Sequence, residues 1–271
     1  MQAHYMTKIV KEVEEEISNT SGVWGVCVKD LKTKKVTLNI NSDMKFPSAS
    51  IGKLPIALYA FSLVADGEVS FDDPLLLVEE YKLGGSGVLR HLHSGLDLSL
   101  LDVITLMLVV SDNTSAKLLV KKFTPQKINE YMTKQGFEVT KLKIDGEKFG
   151  YGMTTPKEIS ILLEGLYSAK YFSKELSDQL MEILRRSETI DRLARFLPSK
   201  IRGNDEKLKI PRKSGSIPGV RSEVGIVLDK TPYVISVLSK DIKDDLYSVD
   251  NEAVLTIAKI SKLIYDHFIK K

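Results

Sequence analysis

Ser50-Ile51-Gly52-Lys53-Leu54-Pro55-Ile56-Ala57-Leu58-Tyr59-Ala60-Phe61 is where the chain changes its hydrophobic period. Ile51, Leu54, Leu58 and Phe61 fall on one helix face, and helical spacing then persists to about Leu197. It is broken at Asp66-Gly67, Gly84 to Gly87, Ser94-Gly95, Asp145 to Gly152 and Pro198. Before this stretch, a helical pattern (Ile9, Val10, Val13, Ile17) stops at Ser21-Gly22. Val23 to Asp30 and Lys35 to Ile40 then read as a hairpin turning at Lys32-Thr33-Lys34. After it, strands return at Lys207 to Lys213, Glu223 to Lys230 and Tyr233 to Lys240, and an amphipathic helix runs from Glu252 to Phe268. Strands at both ends of a helical middle predict an α+β fold. One antiparallel sheet is built from both termini and flanked by terminal helices (residues 1–46 and 199–271), with an all-α lobe (residues 47–198) inserted. The cleft between the lobes is the expected site.

Composition narrows the function by exclusion. The 271 residues are 43% hydrophobic and 28% charged, with no internal repeat or low-complexity linker, which is ordinary globular usage. A net charge of +3 spread over both halves offers no basic stripe for a phosphate backbone, so nucleic acid is not expected as a partner. Cys27 is the single cysteine and cannot form an intramolecular disulfide. His4, His91, His93 and His267 lack metal-site spacing, so no metal is expected. The longest apolar stretches, Leu54 to Ala65 and Leu100 to Val110, are shorter than the ~18 residues of a membrane span. The first residues lack the apolar core of a signal peptide, which leaves a cytoplasmic protein or an exported one whose signal has been removed.

Ser-x-x-Lys occurs twice, at Ser42/Lys45 and Ser50/Lys53. Ser42 sits in a polar turn, whereas Ser50 stands at the start of the apolar helix. A spacing of three puts Lys53 on the same face as the Ser50 hydroxyl, close enough to exchange a proton if burial lowers the lysine pKa. The plainer reading of Ser50 is a helix cap. Pro55 removes a backbone donor early in this helix, an irregularity more often kept at functional sites. Ser111-Asp112-Asn113 follows a helix apolar nearly all round, where such residues either cap the chain or serve a site. Lys213-Ser214-Gly215 ends a strand, and Gly215 leaves room for something to lie along the strand edge, unless the segment is simply a turn.

The three motifs occur in that order, their first residues 61 and 102 positions apart. On these motifs, with Gly85-Ser86-Gly87-Val88-Leu89, Ser111 to Ala116, Thr154-Thr155-Pro156 and Lys213 to Ser216, the chain resembles the class A β-lactamase and penicillin-binding serine D,D-peptidase superfamily over nearly its whole length. The resemblance implies a β-lactamase/transpeptidase-like fold, with Ser50 as acylated nucleophile and Lys53 as its proton acceptor. Ser111 would relay the proton to the leaving nitrogen, supported by Lys213. Asn113, Ser214 and Ser216 would line the substrate, Arg221 would pair with its carboxylate, and the backbone N–H groups of Ser50 and Ser216 would form the oxyanion hole. An alternative for Arg221 is a solvent-facing strand residue.

One departure stands out. Class A enzymes carry a glutamate that activates the deacylating water, followed by Leu-Asn, on a long Ω-shaped loop before Thr-Thr-Pro. Here no Glu-x-x-Leu-Asn occurs, and the glutamate column falls at Gly146. Glu147 is the first substitute and Asp145 the next, unless both are solvated loop acids. The turn from Ser216 to Arg221 is closer to poorly characterised serine hydrolases related to class A enzymes. The implied activity is a penicillin-recognising serine hydrolase or acyltransferase acting through an acyl-enzyme, without cofactor, on β-lactams or peptidoglycan-stem D-Ala-D-Ala peptides. The alternatives are a true β-lactamase with a rebuilt short loop and a β-lactam sensor that stays acylated. No G-x-S-x-G elbow supports a Ser-His-Asp hydrolase. A monomer is expected, placed by the resemblance in the periplasm or secreted.

Overall fold

The computed structural model describes residues 2–145, 148–198 and 210–269. Helix α1 (Gln2–Ser18) leads into β1 (Val23–Asp30) and β2 (Val36–Ile40). After β3 (Phe46–Pro47) and a 3-10 turn (Ala49–Gly52) come α2 (Lys53–Ala65), β4 (Pro74–Leu76), β5 (Asp97–Ser99), α3 (Leu100–Val109), α4 (Asn113–Phe123) and α5 (Pro125–Lys134). Then follow β6 (Lys141–Asp145), β7 (Lys148–Thr154), α6 (Pro156–Tyr167), α7 (Lys174–Arg185), β8 (Arg212–Ile217), β9 (Val220–Val227), β10 (Tyr233–Lys240) and α8 (Glu252–Ile269). Among the described residues no helix is long and apolar enough to cross a membrane.

The main sheet is antiparallel with the order β2-β1-β10-β9-β8, so the two ends of the chain meet at its centre. β1 and β10 pair along their whole length, from Val23 opposite Lys240 to Asp30 opposite Tyr233. Alternation along β10 divides two cores. Tyr233, Ile235 and Val237 join Ile257, Ile260 and Ile264 of α8 and Val13 of α1, while Val234 and Leu238 join the helical core with Phe46, Leu54 and Phe61. With helices on both faces the sheet has no solvated side, which is why β9 and β10 read as nearly unbroken buried runs.

To the helices expected between residues 47 and 198 the structure adds two short sheets, β3-β7-β6 and β4-β5. Strands of two or three residues are too short to show a period of two, and β6–β7 falls where the sequence reads as a loop. The edge strand β8 also differs. It begins at Arg212 and carries Lys213, Ser214, Gly215 and Ser216 within its length, opposite Val224, Glu223, Ser222 and Arg221 of β9. The chain reverses at Pro218-Gly219, with Gly219 at φ +69°. The Lys-Ser-Gly segment is therefore strand interior and not a strand end.

Candidate active site

The Ser50 turn is clamped from two sides. On one, the Ser48 backbone N–H and hydroxyl both donate to Gly152 O of β7, at 2.9 and 3.1 Å. On the other lies β8, and a Cβ at Gly215 would come within 3.0 Å of Ser48 O and 3.1 Å of the Ala49 Cβ. What fills the space beside Gly215 is thus the chain's own Ser50 turn. Ala49 takes φ +42°, a left-handed conformation that a non-glycine residue holds only when its surroundings enforce it. Ser50 precedes α2 and caps nothing: the cap position is Gly52, with no side-chain cap bond. Pro55 occupies the first turn of α2, where backbone N–H groups lack helical partners anyway, so it is no irregularity.

Lys53, the first residue of α2, is fully buried. Its Nζ donates to Ser111 O (2.6 Å), Asn113 Oδ1 (2.7 Å) and Ser111 Oγ (3.3 Å). Burial first, then the nearby Lys213 charge, hold its pKa well below the ordinary lysine value, and Asp112 offsets part of this. Ser111 sits between α3 and α4 at φ +55°. Asp112, fully buried, caps α4 through Ser115 N–H (2.8 Å) and accepts from Val88 N–H (2.6 Å) and Leu89 N–H (2.9 Å). This wrap needs Gly87: at φ +104°, any Cβ would lie 2.2 Å from Asp112 Oδ2. The Gly85-Ser86-Gly87 and Ser111-Asp112-Asn113 segments are thereby one unit, and Asp112 takes the capping role. Asn113 is half-buried, and its amide accepts from Lys53 through Oδ1 and donates to Gly84 O through Nδ2 (2.9 Å).

From the opposite side, Lys213 Nζ donates to Ser111 Oγ (3.0 Å) and Ser214 O (2.9 Å). Its pKa is pushed down to about 7, by burial first and then by Arg192, with Glu223 acting in the other direction. A serine oxygen that accepts from two lysines has its own proton left to donate. Ser50, Ser86, Ser111, Ser214, Ser216 and Arg192 line a cleft of about 360 Å³. Ser214 Oγ lies 3.0 Å from Thr189 Oγ1, and Ser216 Oγ accepts from Arg192 Nη2 at 2.6 Å.

Arg221 does not face this cleft. Its guanidinium is buried and donates to four carbonyls, Ile217 O and Val220 O at 2.8 Å, Asp245 O at 2.9 Å and Leu246 O at 3.0 Å. The cation beside Ser216 is Arg192, which sequence reasoning missed because it falls in irregular chain after α7. It is held by Gly215 O (3.1 Å) and Ser222 O (2.8 Å), and Glu223, fully buried, lends it a counter-charge. Burial pushes the Glu223 carboxyl up, against Arg212 and Arg192, and its Oε2 accepts from Leu193 N–H at 2.7 Å. A carboxylate immediately before the apolar run from Val224 to Val227, and two residues after Arg221, was the available signal for Glu223.

Glu147 lies outside the described residues. Of the described strands on either side, β6 and β7 pair with Asp145 opposite Lys148, and β7 continues beside the Ser50 turn to pair with β3. Two described acids, Glu188 and Asp191, line the cleft, and Asp191 Oδ1 is 3.6 Å from Arg192 Nε.

A model of a family described as the β-lactamase enzyme family matches residues 8–268. The β-lactamase VEB-1 of Pseudomonas aeruginosa is 24% identical over 259 residues, covering 88% of this chain and 83% of that protein. Among solved structures, a variant of PBP-A in an acyl-enzyme complex with penicillin G superimposes with a TM-score of 0.85 at 23% identity, over 98% of this chain and 97% of that one. The β-lactamase from Sphaerobacter thermophilus gives 0.81 at 23% identity, over 97% of each chain.

Proposed function

The chain belongs to the β-lactamase enzyme family, as a serine hydrolase of that type, and we propose that it recognises penicillins and forms an acyl-enzyme at Ser50 with β-lactams. The observation that carries this reading is the convergence of Lys53 and Lys213 on Ser111 Oγ, at 3.3 and 3.0 Å, on the wall of the cleft that Ser50 lines. Lys53, whose pKa burial lowers, takes the Ser50 proton when in its neutral amine form, as Oγ attacks the lactam carbonyl carbon. Carbonyl negative charge is met by the backbone N–H groups of Ser50 and Ser216, as the family resemblance implies. The carbon–nitrogen bond breaks, and Ser111 gives its proton to the nitrogen while regaining one through the two lysines. Arg192, and not Arg221, receives the substrate carboxylate, with Ser214 and Ser216 along the strand edge.

Acyl-D-Ala-D-Ala peptides offer the same amide and carboxylate and are the second substrate class, with action outside the cytoplasm, where such peptides occur. Intact-mass spectrometry after mixing with benzylpenicillin tests the reading. The protein should gain the mass of one whole penicillin, because ring opening releases no fragment. Neither adduct nor hydrolysed penicillin after hours would overturn it.

A further inference from the structure

Three large apolar side chains that line the cleft with Arg192 are themselves exposed: Ile190, Tyr247 and Val249, at 62%, 71% and 55%. Scattered exposed apolar residues need no explanation, but three that line one cleft do. The segment that carries two of them is tied down at several points. Arg221 donates to Asp245 O and Leu246 O, and its guanidinium carbon lies 4.4 Å from the centre of the Tyr247 ring. Gly219 N–H donates to Asp245 Oδ1 at 2.6 Å, Asn251 Nδ2 to Asp244 O at 2.7 Å, and Arg195 Nη1 to Val249 O. A ring stacked on a guanidinium whose donors are engaged by four carbonyls presents its other face at little further loss of side-chain freedom.

We propose that Tyr247, with Ile190 and Val249, is a specificity-determining shelf that receives a planar or apolar group carried next to the substrate carboxylate. The proposal rests on the functional reading above, since it takes the carboxylate to sit at Arg192 and Ser216. Tyr247 lines the same cleft as Arg192 and Ser216, so a group adjacent to that carboxylate reaches the wall that the ring borders. Arg221 is then a positioning residue, acting on substrate through Tyr247.

Two cephalosporins separate the outcomes: nitrocefin, with a dinitrostyryl group beside the carboxylate, and cephalexin, with a methyl group there. Tyr247→Ala should lower the second-order acylation rate with nitrocefin about tenfold and change that with cephalexin by less than about twofold, the difference being one lost aromatic contact. Tyr247→Phe, which keeps the ring, should retain the wild-type ratio of the two rates. Equal losses for both probes, or no loss for either, would overturn the shelf while leaving the acyl-enzyme reading intact. Failure of wild type to be acylated by either probe would overturn both.

Discussion

Ser42 and Ser50 carry the same motif and have different surroundings. Ser42 is buried and its carbonyl accepts from Lys157 N–H (3.0 Å), whereas Ser50 lines the cleft beside Ser111. Peptide mapping of a penicillin adduct should therefore find the label on Ser50, and a label on Ser42 would refute the assignment. Lys53→Arg should reduce acylation by about 10²–10⁴, the usual contribution of a positioned base, because a guanidinium stays charged where a buried amine can be neutral. The direction of the Lys53 shift also predicts the pH profile. Acylation should rise with pH as the amine loses its proton. Lys213→Met, by removing the second cause of the shift, should move that rise to higher pH. A profile that does not move would show that the Lys213 charge leaves Lys53 unaffected.

The β6–β7 hairpin and the loop around Asp112 make opposite demands. The first stands where the family's loop would hold a deacylating base, and it contains no Glu-x-x-Leu-Asn. Acylation should consequently outrun release, leaving a long-lived adduct, since a missing general base accounts for about 10²–10⁴ in rate, roughly 3–5 kcal/mol. Nitrocefin turnover at tens per second in wild type, lost in Glu147→Gln, would reverse this and identify Glu147 as the base. The second element tolerates no side chain. Gly87→Ala should destabilise by about 2–3 kcal/mol, by strain and by overlap with a buried carboxylate. Gly219→Ala has positive φ but no contact nearer than 3.7 Å, and should lose only about 1 kcal/mol in urea unfolding. Equal losses at the two positions would show that backbone strain alone matters.

Behind β8 the molecule buries Lys213, Arg212, Arg192 and Glu223 together, and the arrangement carries a linkage. Lys213 has a folded pKa of about 7 against 10.5 for an ordinary lysine, so between those values the unfolded chain holds a proton that the native state has released. Stability must then rise with pH across that window, by up to about 1.4 kcal/mol per unit for one group. Denaturant unfolding from pH 7 to 9 should show wild type gaining on Lys213→Met by this sign. A parallel pair of curves would place the folded lysine at an ordinary pKa. Removing Glu223 should cost about 3–5 kcal/mol at neutral pH, since Arg192 and Arg212 lose their buried counter-charge.

Strand, turn and helix periods were readable because each reports a local repeat: the terminal hairpin, β10 at Tyr233 to Lys240 and the closing helix occur where their patterns place them. The order of the three motifs was equally visible, being linear. Which cation meets the cleft was not, because Arg192 and Arg221 differ in what they touch and not in what they are. Four carbonyls brought together by the 217–220 turn and the 245–246 segment engage one, while Gly215 O, Ser222 O and Ser216 Oγ hold the other on the wall of the cleft. Gly215 likewise reads as room for a ligand until folding lays the Ser50 turn against it. Hydrophobic periodicity is a property of neighbours along the chain, whereas the employment of a buried charge or a missing Cβ depends on other segments, Gly215 and Ser222 for Arg192, the 245–246 segment for Arg221, and the distant Ser48–Ala49 turn for Gly215.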